Sequence, residues 1–339
     1  MRARDLEISI GDLEPGPLNA ITDVAGTRVG HTTLIQGDSI RTGVTLVLPT
    51  DDGSPCFAGS HRLNGNGELT GLEWVRESGL LTTPVGITNT FSVGVVRDAI
   101  VAWQHSRNLG QWHLPVVGET YDGRLNDIEG MHVTREHTFA AFEGASDGTV
   151  AEGCVGGGTG MICHGFKGGI GTASRTTDVG TVGVLVQANH GRRDRFAVNG
   201  VPVGKLVDTP LPGEIDAARD GSIIVLVATD APLLPHQCDR VAQRAALGIA
   251  RTGGAGENSS GDLILAWATG NRIDPAVPEL ALRMLGNDRM NELFYATIEA
   301  TEEAIVNALL AAETMTGRDG FTVHALDGDT LVRALGARP

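Results

Sequence analysis

Four short runs constrain this chain most: "GVTLVLPT" (43–50), "VGVLVQAN" (182–189), "SIIVLVATD" (222–230) and "DLILAWAT" (262–269). Each is rich in β-branched residues and apolar on both alternations. A strand of that kind must be covered on both faces, because neither set of side chains tolerates water. The helices to cover them are present. "PHQCDRVAQRAALGIAR" (235–251) opens with Pro and carries apolar residues at helical spacing, and "LFYATIEATEEAIVNALLAAETM" (293–315) is rich in Ala, Leu and Glu. No long linker or repeat interrupts the 339 residues, so one layered α/β domain spanning 1–339 is expected, with a large core.

Charge narrows the function. The formal net charge is −15, and the densest basic grouping is "GRRDR" (191–195), which argues against nucleic acid as a partner. No run of 18 apolar residues predicts a membrane span. The start "MRARDLEISIGDLEPG" lacks the apolar segment of a signal peptide, so a cytoplasmic location is expected. The four cysteines form no CxxC pair and read as reduced thiols rather than zinc ligands. The histidines form no HExxH pattern, and His132 and His137 are five apart, which misses one helical face. Neither metal nor cofactor is therefore expected. The Gly-rich "EGCVGGGTGMICHGFKGGIGTASR" (152–175) lacks GK[ST] and a strand-borne GxGxxG. It reads as tight turns where backbones pass closely.

Three stretches could carry chemistry. "PVVGETYDGRLND" (115–127) runs from a strand-like lead into Glu119, Thr120, Tyr121 and Asp122, and "VQANHG" (186–191) ends a strand in Asn189. Strand ends are common sites in layered folds, although solvated turns look the same in sequence. "GENSSGDLILAWATG" (256–270) puts Ser260 where a Gly/Ser-rich loop becomes a strand. Six of the eight residues from Gly253 to Ser260 are Gly, Ala or Ser, which by itself describes an ordinary loop. Cutting the Ser259–Ser260 bond would change its chemistry. Ser260 would gain an α-amine of pKa about 7.7–8.0, a general base beside its own hydroxyl. No histidine would be needed, and neither a GxSxG elbow nor a Ser-His-Asp arrangement is evident.

Read together, "ITDVAGTRVGHTTL" (21–34), "VVGETYDGRLND", "GGGTGMICHGFKGGIGTASR", "VLVQANHG", "TDAPLLPHQCDRVAQRAALGIARTGG" (229–254), "NSSGDLILAWATGN" and "EATEEAIVNALLAAETMTGRDG" resemble the L-aminopeptidase D-Ala-esterase/amidase family, which includes the β-peptidyl aminopeptidases. The resemblance runs from about residue 20 to about residue 330. It implies an αββα sandwich of two central sheets flanked by helices, an N-terminal-nucleophile mechanism, and a homotetramer. Self-cleavage is implied too, giving chains 1–259 and 260–339. Position by position, Ser260 matches the nucleophile and Glu119 the carboxylate that receives the substrate amine. Tyr121 and Asn189 match the groups that stabilise the tetrahedral intermediate, Asn189 in the oxyanion hole. The pair that orients the nucleophile falls on Thr301 and Glu303, with Ala300 and Glu302, or Glu299, as alternatives. Ser259 precedes the cut where Gly or Asn is expected, so a slip to Asn258/Ser259 stays open.

The expectation is a cofactor-free, self-processing serine aminopeptidase acting on short peptides, amides or esters through an acyl-Ser260 intermediate. L-, D-Ala and β-aminoacyl groups all remain open as substrates. The rivals are an acyltransferase of similar architecture and a non-catalytic scaffold that binds metabolites.

Overall fold

A computed structural model describes residues 1–109, 112–213, 221–274 and 276–336. The first half runs β1 (Arg28–Gln36), β2 (Ile40–Leu48), β3 (Cys56–Gly65), α1 (Leu72–Ser78), β4 (Leu80–Leu81), β5 (Val85–Asn89), α2 (Val93–Ser106), β6 (Val116–Thr120) and α3 (Arg135–Glu143). A two-residue hairpin, β7 (Ile162–Cys163) and β8 (Phe166–Lys167), leads into β9 (Gly169–Thr177) and β10 (Gly180–Asn189). Then come β11 (Ser222–Thr229), α4 (Pro235–Arg251), β12 (Gly261–Ala268) and α5 (Met290–Leu310).

The strands form two main sheets, one of four strands ordered β1-β2-β5-β6 and one of six ordered β4-β3-β12-β11-β10-β9. Pairing is antiparallel except for β5 with β6 and β11 with β12. The parallel β11–β12 pair needs a crossover, and α4 provides it.

The double alternation of apolar residues now has its cause. Along β12, Leu263, Leu265 and Trp267 join a cluster with Val47, Val85, Ile87 and Val116 of the other sheet. The intervening Ile264, Ala266 and Ala268 join Val241, Ala245, Ala300 and Ala304 of α4 and α5. A third cluster packs Val44, Leu46 and Val117 against Val96, Ile100 and Phe142 of α2 and α3. Three cores between four layers make the αββα sandwich.

α4 spans the expected residues. α5 begins three residues before the expected start and ends five before the expected end, because the chain leaves it to pair Met315–Thr316 with Thr322–Val323. The Gly-rich segment is a close passage. A β-carbon on Gly157 would lie 2.7 Å from Ile87 O and 2.1 Å from Gln187 Oε1, so only glycine fits. Among the described residues, no helix is long and apolar enough to cross a membrane.

One polar side chain ties the two sheets together. Gln187, fully buried on β10, donates from Nε2 to Thr88 O on β5 and to Thr120 Oγ1 on β6, both at 2.9 Å. Gln187→Met keeps the volume but leaves those acceptors unpaired. It should lower unfolding stability by about 1–3 kcal/mol, read as a reduced urea midpoint at unchanged slope. An unaltered midpoint would show that the strut contributes nothing.

Candidate active site

Strand ends from both sheets converge on one cavity of about 1010 Å³, lined among others by Glu119, Tyr121, Asn189, Ser222 and Ser259. The period of two sorts the polar cluster after β6. Glu119 and Tyr121 line the cavity, whereas Thr120 and Asp122 are fully buried. Asp122 accepts from Asn126 Nδ2 at 3.0 Å, and burial pushes its carboxyl up to about 7.

Glu119 is a buried carboxylate in the cavity wall. It is 4% exposed, and burial raises its pKa. Its Oε1 accepts from Glu68 N at 3.0 Å and its Oε2 from Thr90 Oγ1 at 2.5 Å. No cation pairs with it among the described residues. Gly67 runs between Glu119 and the start of β12. A β-carbon on it would stand 3.1 Å from Glu119 Oε1 and 3.3 Å from Gly261 Cα. The carboxylate therefore lies within about two residue lengths of the Ser260–Gly261 backbone.

Asn189 closes β10 opposite Ser222, and Ser222 Oγ in turn accepts from Gly261 N at 3.0 Å. The Asn189 amide is held at both ends: Oδ1 accepts from Ile162 N at 2.7 Å, and Nδ2 donates to Tyr121 O at 3.0 Å. One Nδ2–H remains for a third group. Ser260 itself is buried at 1% exposure, and β12 begins at the next residue.

Two residues at the junction went unnoticed in the sequence. Ser260 Oγ donates to Asp262 Oδ1 at 2.5 Å, and Asn66 Nδ2 donates to Ser259 O at 2.6 Å. Burial, opposed by the Ser260 bond, raises Asp262 to about 6. The loop before the junction is held by Asn64 Nδ2 on the carbonyls of Gly256 and Glu257, and by Ser260 N on Glu257 O at 2.8 Å. The i, i+2 spacing of Ser260 and Asp262 across the start of β12 was the available clue, since in extended chain such side chains leave the same face.

The carboxylates of α5 have other partners. Glu303 takes Arg175 Nη2 at 2.6 Å, Asn19 Nδ2 at 2.6 Å and Arg4 Nε at 3.1 Å. Glu299 takes the backbone of Asp12 and Leu13 as well as Arg175. Glu302 takes Asn199 N at 3.0 Å and Arg251 at 3.2 Å. Thr301 Oγ1 donates to Thr297 O within the helix. These contacts thus bring Glu119, Tyr121, Asn189 and the Ser259–Ser260 bond together, and tie Thr301, Glu302 and Glu303 into the frame.

Among the described residues, one group could hold a metal. Cys163 Sγ and ring nitrogens of His164 and His190 lie within 4.8 Å of one another, all buried. Burial lowers both imidazoles and pushes the thiol up to about 12, so a metal would have to displace a tightly held proton.

A layered αββα fold with a buried serine at a strand start, and with a buried carboxylate and an amide lining one cavity, is that of an aminopeptidase of the N-terminal-nucleophile hydrolase fold. The chain belongs to peptidase family S58, whose model matches residues 19–323. It is 48% identical to the β-peptidyl aminopeptidase BapA of Sphingosinicella microcystinivorans, covering 96% of this chain and 89% of that one. Among solved structures it resembles a β-aminopeptidase from a Burkholderia species at 53% identity and TM-score 0.94, over 100% of both chains. It also resembles the L-aminopeptidase D-Ala-esterase/amidase of Ochrobactrum anthropi, described as a new variant among the Ntn hydrolase fold. There the identity is 42% and the TM-score 0.93, over 99% of this chain and 98% of that one. The expected aminopeptidase therefore prevails over the acyltransferase and scaffold alternatives.

Proposed function

We propose that the chain cuts itself before Ser260 and then removes N-terminal residues from short peptides, amides or esters through an acyl-Ser260 intermediate. The observation that carries this is the pair of bonds at the junction: Asp262 on the Ser260 hydroxyl and Asn66 on the Ser259 carbonyl. In the precursor, Asp262 takes the Oγ proton as Oγ attacks the Ser259 carbonyl carbon. Asn66 Nδ2 donates to the resulting oxyanion. The C–N bond breaks, the proton passes to the departing nitrogen, and water hydrolyses the ester. Ser260 then begins a chain of 80 residues, associated with residues 1–259 because β12 lies between β3 and β11 and cannot leave its ladder unpaired.

In the processed form, the Ser260 amine is the base, Glu119 receives the substrate ammonium, and Asn189 and Tyr121 hold the oxyanion. We place Thr301 and Glu303, or Glu302, as positioning residues acting through the frame. A homotetramer in the cytoplasm is part of the same proposal, supported by the family resemblance and by exposed Leu247 and Tyr295 on α4 and α5. Light scattering of the native protein tests the assembly, and fractionation of the source cells tests the location.

Intact mass spectrometry should find two chains for the parent and one for Ser260→Ala. Asp262→Asn should slow processing by about 10²–10⁴-fold. Since Asp262 must be ionised to take the proton and is raised to about 6, the cleavage rate of freshly folded precursor should fall about tenfold per pH unit below that value. Cleavage of Ser260→Ala at the same bond would sink the scheme.

For turnover, Asn189→Ala should lower kcat by roughly 10²–10³ with little change in KM. A folded, processed variant with parental kcat would remove Asn189 from the oxyanion hole. The same split of kcat from KM in Thr301→Ala, Glu302→Gln and Glu303→Gln decides their positioning roles, because a purely structural loss lowers stability and leaves kcat intact.

Glu119→Gln keeps shape and removes charge. It should lose roughly 10- to 150-fold in kcat/KM on peptides with free amines, and N-acetylated peptides should be poor substrates for the parent. Equal hydrolysis of acetylated and free peptides would end the role of Glu119 as amine anchor.

A further inference from the structure

The cavity is lined by charges of both signs. Glu119 and Glu68 are joined through the backbone bond that Glu68 N gives Glu119. Four cations line the same cavity, Arg124, Arg192, Arg193 and Lys205, with Asp194 among them. Arg192 is ion-paired with Asp194 at 3.2 Å. The other three have no carboxylate partner among the described residues.

Arg193 forms the floor. Its Nε, Nη1 and Nη2 donate to the carbonyls of His164, Thr209 and Gly165 at 3.0, 2.8 and 2.6 Å, and its guanidinium lies 3.3 Å from the centre of the Phe166 ring. Carbonyl dipoles orient that charge without cancelling it, and burial draws its pKa down to about 10. Lys205 lines the same wall beside Gly204, whose Cα packs directly on the Arg193 carbonyl. A half-buried guanidinium without a counter-ion favours an anion in the adjoining space.

The spacing admits a short substrate. Asn189, the oxyanion donor of the proposed mechanism, lines the same cavity and is bonded to Ile162 N and Tyr121 O. Its Nδ2 is 3.0 Å from the carbonyl of Tyr121, two residues beyond Glu119. Arg193 follows Asn189 by four residues along the chain, so their Cα atoms are at most about 14 Å apart. A dipeptide bound by its amine at Glu119 ends in a carboxylate about 3.6 Å beyond the scissile bond, and a tripeptide about 7 Å beyond it. The long side chains of Arg124 and Lys205 can span the rest.

We propose that Arg124, Arg193 and Lys205 form a seat for the C-terminal carboxylate of a di- or tripeptide, so that the enzyme reads both ends of its substrate. This inference rests on the amine anchor at Glu119. The leaving residue is then selected by its charge, and its side chain is left to the half-buried Ile162 and exposed Leu211 of the same wall.

The test compares one dipeptide with a free C-terminus, the same dipeptide as its C-terminal amide, and its N-acetylated form. Each is assayed with the processed two-chain enzyme. The free acid should exceed the amide by roughly 10- to 150-fold in kcat/KM, carried mainly by KM, and added salt should shrink the ratio. Arg124→Gln with Lys205→Gln should cut the preference at least several-fold by slowing the acid alone. Arg193 is left in place because it ties the floor together, and it accounts for whatever preference remains. Lys205→Glu, a change at an exposed position, should reduce the preference further than Lys205→Gln. Equal rates for acid and amide in the parent, or a preference undiminished by the double substitution, would overturn the seat while poor hydrolysis of the acetylated peptide upheld the amine anchor. Ready hydrolysis of the acetylated form would remove the anchor and the seat together.

Discussion

The site depends on a single buried amide. Gln187 stands two residues before Asn189 on β10 and bonds to Thr120, the residue between Glu119 and Tyr121 on the opposite sheet. Two apolar sheets packed face to face can slide at little cost, since dispersion contacts are nondirectional. A hydrogen bond fixed at 2.9 Å on two acceptors cannot. It sets the sheets in register at the end where Asn189 and Glu119 line one cavity. The Tyr121 carbonyl on Asn189 Nδ2 then repeats the tie one layer closer to the cavity. Preorganisation of the site is thus a property of the sandwich interior, made by groups that never meet the substrate.

The same interior explains why carboxylates can serve here without histidine. Burial raises Asp262 to about 6, close enough to neutrality to accept a hydroxyl proton yet still mostly ionised at pH 7. Burial also raises Glu119, which makes an arriving ammonium its natural counter-ion. These two acids lie on different sheets, and Gly67 passes between Glu119 and the strand that carries Asp262. One takes a proton and the other takes a charge. Their neighbours decide which: a serine hydroxyl donates to Asp262, while a threonine hydroxyl and a backbone N–H hold Glu119 as an acceptor.

How much of this was legible follows from where each signal resides. Strands β10, β11 and β12 declare themselves because both faces are covered, so the apolar code is continuous. β1 and β3 do not: β1 is exposed at Ile35 and polar along much of its length, and β3 ends in "SHRLNG". α2 is harder still. "VGVVRDAIVAWQHS" is rich in β-branched residues and carries little intrinsic helical preference. It follows a turn in which Asn89 Oδ1 accepts from Phe91 N and Ser92 N, and it is kept helical by packing on β5 and β6, which is tertiary information. The site shows the same division. Glu119, Tyr121 and Asn189 end strands and could be found along the chain, whereas Asn66 reaches the junction from almost two hundred residues away. Only the pairing of β3 with β12 brings it there.

That pairing also bears on when the site becomes competent. Glu119, Tyr121 and Asn189 already face the cavity in the continuous chain, with Ser259 among its lining and Ser260 buried behind it. The proposed amine receptor, Glu119, and the proposed oxyanion donor, Asn189, therefore need no rearrangement at the proposed cut. What the cut alters is local: a peptide nitrogen bonded to Glu257 O becomes an amine, and the Ser259 carbonyl loses its tie to the strand. β12 starts at Gly261 and is paired on both sides, by β3 and β11, so the new terminus is held by the ladder rather than by the loop that leaves it. The proposed nucleophile, one residue before a doubly paired strand, has little freedom to wander. That rigidity suits the proposed use of the serine's own amine as base, since amine and hydroxyl of one residue are already close and need only be kept facing the cavity.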